Sequence, residues 1–146
     1  MLRGVDTTFL VEAEVAGHPH HSWAAVTLDS VLNEGDSLAI APQVLAEFVH
    51  VVTDAKRFAQ PLTMRQALTR ADLWWQGREV VHVFPNDESG RLFLDWMRQH
   101  GLGRKRLLDT LLAATYCAHG IRSILTSNAR DYTVFGHFEV IRPEGP

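Results

Sequence analysis

One cysteine, Cys117, stands in a chain of 146 residues, so no disulfide can form within it and a reducing compartment is expected. Its apolar neighbours Ala113, Ala114 and Ala118 suggest a small buried thiol. No apolar run approaches the roughly 20 residues that a membrane span needs. The N-terminal "MLRGVDTTFLVEAEV" carries charge inside its apolar stretch and lacks a signal-peptide core, so a cytoplasmic, non-membrane protein is expected. Positive charge is also scarce, with 14 Lys and Arg against 17 Asp and Glu and a formal net charge of −3. That excludes a protein gripping nucleic acid over its whole surface, because Lys and Arg supply most of such affinity. The one dense basic run is "GRKR", with Arg104, Lys105 and Arg106. No repeat, low-complexity tract or Ser/Gly/Pro linker divides the chain, which is expected to form one domain over residues 1–146.

What is present is enough for a core, since 46% of residues are hydrophobic and 21% charged. Short apolar runs at 2–6, 37–42, 80–85, 123–127 and 138–143 alternate with segments of helical period at 8–16, 20–33, 42–53, 63–78, 88–100 and 106–119. Gly35, Gly101 and Gly120 stand where helices should stop. The alternation predicts an α/β fold with a central, mostly parallel sheet of about five short strands flanked by helices.

In such sheets ligands bind outside the carboxyl ends of the strands, and several polar groups fall there. The stretch "ILTSNARDYTVFG" turns from an apolar strand to Thr126, Ser127, Asn128 and Asp131. Asp6 ends the first strand before Thr7 and Thr8, where it either caps a helix or faces a ligand. Glu47 borders the apolar stripe of its helix beside Val44 and Val51, either snorkelling outward or paired. Asp109 opens a helix above Leu112, Ala113 and Tyr116. Interaction with the helix dipole explains an acid in the first turn but not its alignment with the buried face. A parallel sheet can bring all of these to one rim. Converging carboxylates repel unless protonated or neutralised, and an all-oxygen donor set favours hard ions, Mg²⁺ or Mn²⁺.

The ordered segments "VDTTFLVEA", "LAEFVHVVT", "LLDTLLAATYCAHG" and "LTSNARDYTVFGHFEVIRP" resemble the PIN-domain nucleases, most closely the VapC toxins of type II toxin–antitoxin pairs. The resemblance spans nearly the whole chain. It implies a PIN-like fold, a metal-dependent endoribonuclease that hydrolyses RNA phosphodiester bonds, Mg²⁺ or Mn²⁺ as cofactor, a homodimer, and a small antitoxin as partner. By it Asp6, Glu47 and Asp109 are the first three acids of the metal site. The fourth place is Asn128 here, where many members carry an acid, with Asp131 three positions further on. Thr7, Thr126 and Ser127 would orient a phosphate oxygen or a water. Arg104, Lys105 and Arg106 would grip the RNA backbone, the alternative for that run being a solvated rim.

Other features point less directly. "HPHH" at 18–21 looks like a metal tract, but no Cys or acid stands at zinc-finger spacing, and surface or RNA-facing histidines are expected instead. Trp74 and Trp75 in "LWWQGR" could stack bases, pack inward in part, or mark a partner surface. A phosphoryl-transfer enzyme is disfavoured because Thr8 stands where a second Asp is needed, and a receiver domain because "VVHVF" carries no Asp. A catalytically weak or inactive binding module that keeps the PIN fold is the remaining alternative.

Overall fold

Five parallel strands form one sheet in the order β3-β2-β1-β4-β5. In chain order the computed structural model contains β1 (Leu2–Val5), α1 (Thr7–Glu14), α2 (His21–Asn33), β2 (Ser37–Ile40), α3 (Pro42–Val52) and α4 (Met64–Trp75). There follow β3 (Val80–His82), α5 (Asp87–Gln99), a 3₁₀ turn (Arg104–Arg106), α6 (Leu107–Ala118), β4 (Ser123–Leu125), α7 (Arg130–Thr133) and β5 (Glu139–Ile141). The structure describes residues 1–144, so the last two positions of the expected domain lie outside it. Among the described residues no helix is long and apolar enough to cross a membrane.

The strands are apolar because helices cover them. Val5, Ile40, Ile124 and Leu125 are fully buried with Phe9, Leu10, Phe48 and Tyr116. Helix α1 packs on α2 and α3, α3 packs on α4, and α5 pairs with α6. Local chemistry sets the ends. Pro42 opens α3 where a missing N–H costs nothing, and Thr63 and Asn86 each form reciprocal capping boxes with Gln66 and Ser89. Gly35, Gly101 and Gly120 take positive φ at the expected helix stops.

Gly4 has a different reason for being glycine. A Cβ there would lie 2.7 Å from Cδ2 of Tyr116, so the bare strand lets that ring lie flat against β1. The Tyr116 hydroxyl then donates to the carbonyls of Val5 and Ala39, tying α6 to the ends of β1 and β2.

The expected strands are each longer than those observed, and α7 was not expected, its four residues being too few to show helical period. Cys117 is half-buried rather than enclosed. Trp74 and Trp75 are both half-buried; the Trp74 indole N–H donates to Glu14 at 2.7 Å, and Trp75 stacks on His82 with ring centroids 3.4 Å apart.

Candidate active site

Strand β1 is central, between β2 and β4, so the turn after it lies where the strand order changes direction and where open α/β sheets hold ligands. Asp6 occupies that turn and is 4% exposed. It is the N-cap of α1, accepting from the Phe9 N–H at 3.2 Å, and it also accepts from Thr8 Oγ1 at 2.7 Å and Thr126 Oγ1 at 2.6 Å. The capping role is therefore real and does not compete with a ligand role. Burial pushes the carboxyl up to about 6 even though these donors favour its charged form.

Glu47 projects from α3 toward α1, where Thr7 Oγ1 donates to its Oε2 at 2.9 Å. Asp109 opens α6. Its carboxyl is pushed up to about 7, first by burial and then by Asp131, Asp6 and Glu47. Three acids from separate segments of the chain therefore act on Asp109. Asp131, in the first turn of α7, faces Asp109 on one side and Arg106 on the other. Nε of Arg106 lies 3.6 Å from its Oδ1, and the guanidinium also donates to its main-chain carbonyl. Asn128 is exposed, and its main chain is engaged, the N–H donating to Thr126 Oγ1 at 2.9 Å and the carbonyl accepting from the Asp131 N–H at 3.1 Å.

Several expected substrate contacts have other work. Thr126 is fully buried and holds Asp6, and Thr7 is nearly buried and holds Glu47, so both hydroxyls position carboxylates. Arg106 is committed to Asp131, whereas Arg104 and Lys105 are exposed beside it. Ser127 is half-buried and its N–H donates to Thr8 Oγ1 at 3.3 Å. Thr8, which bridges Asp6 to Ser127, carries more of the site than the sequence suggested. Its signal was the run of two hydroxyls behind a strand-end Asp. Tyr132 was missed entirely. It is fully buried, and burial together with Asp6 and Asp109 holds its hydroxyl protonated. No spacing in the sequence announces it, because it lies on the unexpected short helix.

Two grooves meet at Ser127 and Asn128. One of about 540 Å³ runs past Asp131 and Arg142, and one of about 930 Å³ runs past Thr8, Glu12, His18 and Arg57; His20 borders both. His18 and His20 of the histidine tract are half-buried on the groove wall, and the fold supplies the acid that sequence spacing lacked. Among the described residues, Glu12, His18 and His20 are the only three metal-type donors with ligating atoms all within 4.8 Å of one another. The four rim carboxylates are more widely spaced. Their donors are all oxygens, and their mutual repulsion is what a hard divalent cation would relieve, so the residues fit Mg²⁺ or Mn²⁺.

The chain is thus a parallel α/β domain whose strand ends gather acids beside open grooves. A family model described as the PIN domain matches residues 5–135, and the chain belongs to that family. Among solved structures it is similar to the sarcin–ricin loop cleaving toxin VapC20 of Mycobacterium tuberculosis, at 19% identity and a TM-score of 0.73, with 98% of this chain and 100% of that one covered. It is also similar to VapBC2 of Rickettsia felis bound to a promoter DNA fragment (17%, TM-score 0.67, 99% and 100% covered). A toxin–antitoxin complex from Klebsiella pneumoniae resembles it at 18% identity and a TM-score of 0.61, with 97% and 98% covered. A search of curated proteins by sequence gave no match.

Proposed function

We propose that the protein is a metal-dependent endoribonuclease acting as the toxin of a toxin–antitoxin pair. The observation that carries this reading is the setting of Asp109, whose carboxyl is pushed up to about 7 by burial and by the nearby Asp131, Asp6 and Glu47, acids brought together from separate segments of the chain. Structural ion pairs do not need such a gathering; a divalent ion does. Asp6, Glu47, Asp109 and Asp131 would hold Mg²⁺ or Mn²⁺, with Asn128 at its edge. The bound ion would supply charge stabilisation at the scissile phosphate and an acidified water.

The remaining work belongs to the chain. Thr7, Thr8 and Thr126 hold Glu47 and Asp6 in place. Arg104 and Lys105 are exposed beside the Asp109 helix and grip the RNA backbone, and Ser127 and Asn128 line the grooves through which a strand reaches the acids. Membership of the PIN family and the likeness to toxin structures support this reading.

The antitoxin belongs on the apolar groove of about 510 Å³ between α3 and α4, lined by Leu45, Val49, Leu68, Ala71 and Trp75, which suits the apolar face of an amphipathic helix. The active form is a homodimer. Cleavage of purified RNA in Mn²⁺ or Mg²⁺, measured beside Asp6→Asn and Asp109→Asn, tests the activity. Equal cleavage by parent and variants would overturn it. Slowed growth on expression, relieved by the adjacent small gene product, tests the toxin role.

A further inference from the structure

Glu12 is the most deeply buried acid among the described residues, 1% exposed, and neither of its carboxylate oxygens has a hydrogen-bond partner. Nδ1 of His20 lies 3.2 Å from its Oε2, yet that nitrogen is itself buried without a hydrogen bond, so the approach is close but not aligned for proton sharing. His18 brings a third donor atom within 4.8 Å of the other two. A buried carboxylate is normally satisfied by several hydrogen bonds or by a metal.

The geometry points to a second metal site, made of Glu12, His18 and His20, that binds a divalent transition cation of the zinc class and stands apart from the carboxylate rim. Two imidazoles and one carboxylate select Zn²⁺ and its neighbours over Mg²⁺, which takes oxygen ligands. Ligand atoms around a tetrahedral Zn²⁺ stand about 3.4 Å apart, so the 3.2 Å separation of His20 Nδ1 and Glu12 Oε2 is already that of two ligands on one ion.

The supporting contacts hold the donors in place. In the metal-free chain the main-chain N–H of His20 donates to Nδ1 of His18 at 3.1 Å, which holds the ring beside Glu12; ligation through either ring nitrogen of His18 would release that hydrogen bond. The His21 ring bonds the main-chain carbonyl of Glu12 at 2.8 Å, fixing the start of α2 against the end of α1. Arg57, the cation on the same groove wall, is paired with Asp54 at 3.6 Å and leaves Glu12 uncompensated. Three protein ligands leave a fourth position for water on the groove side, where His20 also borders Ser127 and Asn128. Bound there, the ion clamps the end of α1 to the loop that leads into α2.

This inference does not depend on the proposed nuclease activity, and its test avoids it. Purified Asp6→Asn/Asp109→Asn protein, with the rim disabled, is titrated with Zn²⁺ by calorimetry and with Co²⁺ by visible absorption. One equivalent should bind, with the spectrum of a nitrogen-ligated cobalt, and millimolar Mg²⁺ should not displace it. Adding His18→Ala or His20→Ala to that background should weaken binding by more than about tenfold. His18 lies on a half-exposed loop, so its removal should leave circular dichroism unchanged even if Glu12→Gln fails to fold. Absence of Zn²⁺ and Co²⁺ binding to the rim-disabled protein, or unchanged binding in both histidine variants, would overturn the site and leave Glu12 and His20 a plain ion pair.

Discussion

The Thr126 hydroxyl donates to Oδ2 of Asp6 at 2.6 Å, joining the carboxyl ends of two strands whose sequences are 120 positions apart. Because Thr126 stabilises the charged form of a carboxyl that burial holds near 6, it sets the pH at which Asp6 becomes available to a cation. Thr126→Val should move the acid limb of the pH–rate profile to higher pH while leaving the alkaline plateau within a few-fold of the parent. An unmoved limb would mean that the hydrogen bond only holds the turn.

Removal of either central acid should be far more severe. Asp6→Asn and Asp109→Asn should each lower cleavage by about 100-fold or more, since a ligand to a catalytic cation stabilises transition-state charge by several kcal/mol. Both proteins should still fold. Without metal, Asp109→Asn should at pH 8 be as stable as the parent or more stable, by about 1–2 kcal/mol once solvent screening at a partly exposed group is allowed for. Chemical denaturation in EDTA measures this.

The metal-free parent should also depend on pH in a definite direction. Asp6 and Asp109 carry pKa values of about 6 and about 7 in the fold, against an ordinary 3.8, so the folded state binds more protons than the unfolded chain across that interval. The stability they contribute is complete below about pH 4 and is lost as pH rises through their folded values. In EDTA the melting temperature should therefore be higher at pH 5 than at pH 8, and Asp109→Asn should flatten the difference. Mn²⁺ should restore stability at pH 8 and bind more weakly at pH 5. A melting temperature that rises from pH 5 to pH 8 in EDTA would contradict the assignment of both acids.

The fourth acid can be separated from its neighbour by titration. Asp131 faces Asp109 whereas Asn128 is exposed, so Asp131→Asn should weaken Mn²⁺ binding more than Asn128→Ala does. Asn128→Asp should strengthen it by adding charge at the groove mouth. Unchanged affinity in Asp131→Asn would leave that residue only the partner of Arg106.

The link between core and site predicts a cost at a residue without a side chain. Gly4→Ala places a methyl 2.7 Å from the Tyr116 ring and should destabilise the fold by about 1–3 kcal/mol through overpacking. Tyr116→Phe should cost a similar amount by withdrawing a donor from the Val5 and Ala39 carbonyls. Urea denaturation of the two variants would check both values.

The legible parts of the molecule were those written in local pattern. The helices with apolar stripes and the strand-end position of Asp6 could be read because burial on one face leaves a period behind. Asp109 was legible because an acid stood in line with Leu112, Ala113 and Tyr116, all buried in the fold. What the sequence left unread concerns direction. Thr7, Thr126 and Arg106 were placed at the right rim, but their hydrogen bonds run inward to Glu47, Asp6 and Asp131, and a one-dimensional pattern does not reveal which partner a side chain takes. Glu12 shows the same limit more sharply. In sequence it is one polar residue in an apolar helix, and only the return of the chain through His18 and His20 surrounds it.

The strand order carries a consequence for synthesis. β1 precedes the other four strands in sequence and is the middle strand of the sheet, and its pairing of Arg3 with Ser123 waits until β4 has been made. Until then β1 has β2 on one side and an open edge on the other, Asp6 lacks the Thr126 hydroxyl, and Asp109 lacks Asp131. The rim is therefore not assembled until the segment from Ser123 to Asp131 has followed the first four-fifths of these 146 residues.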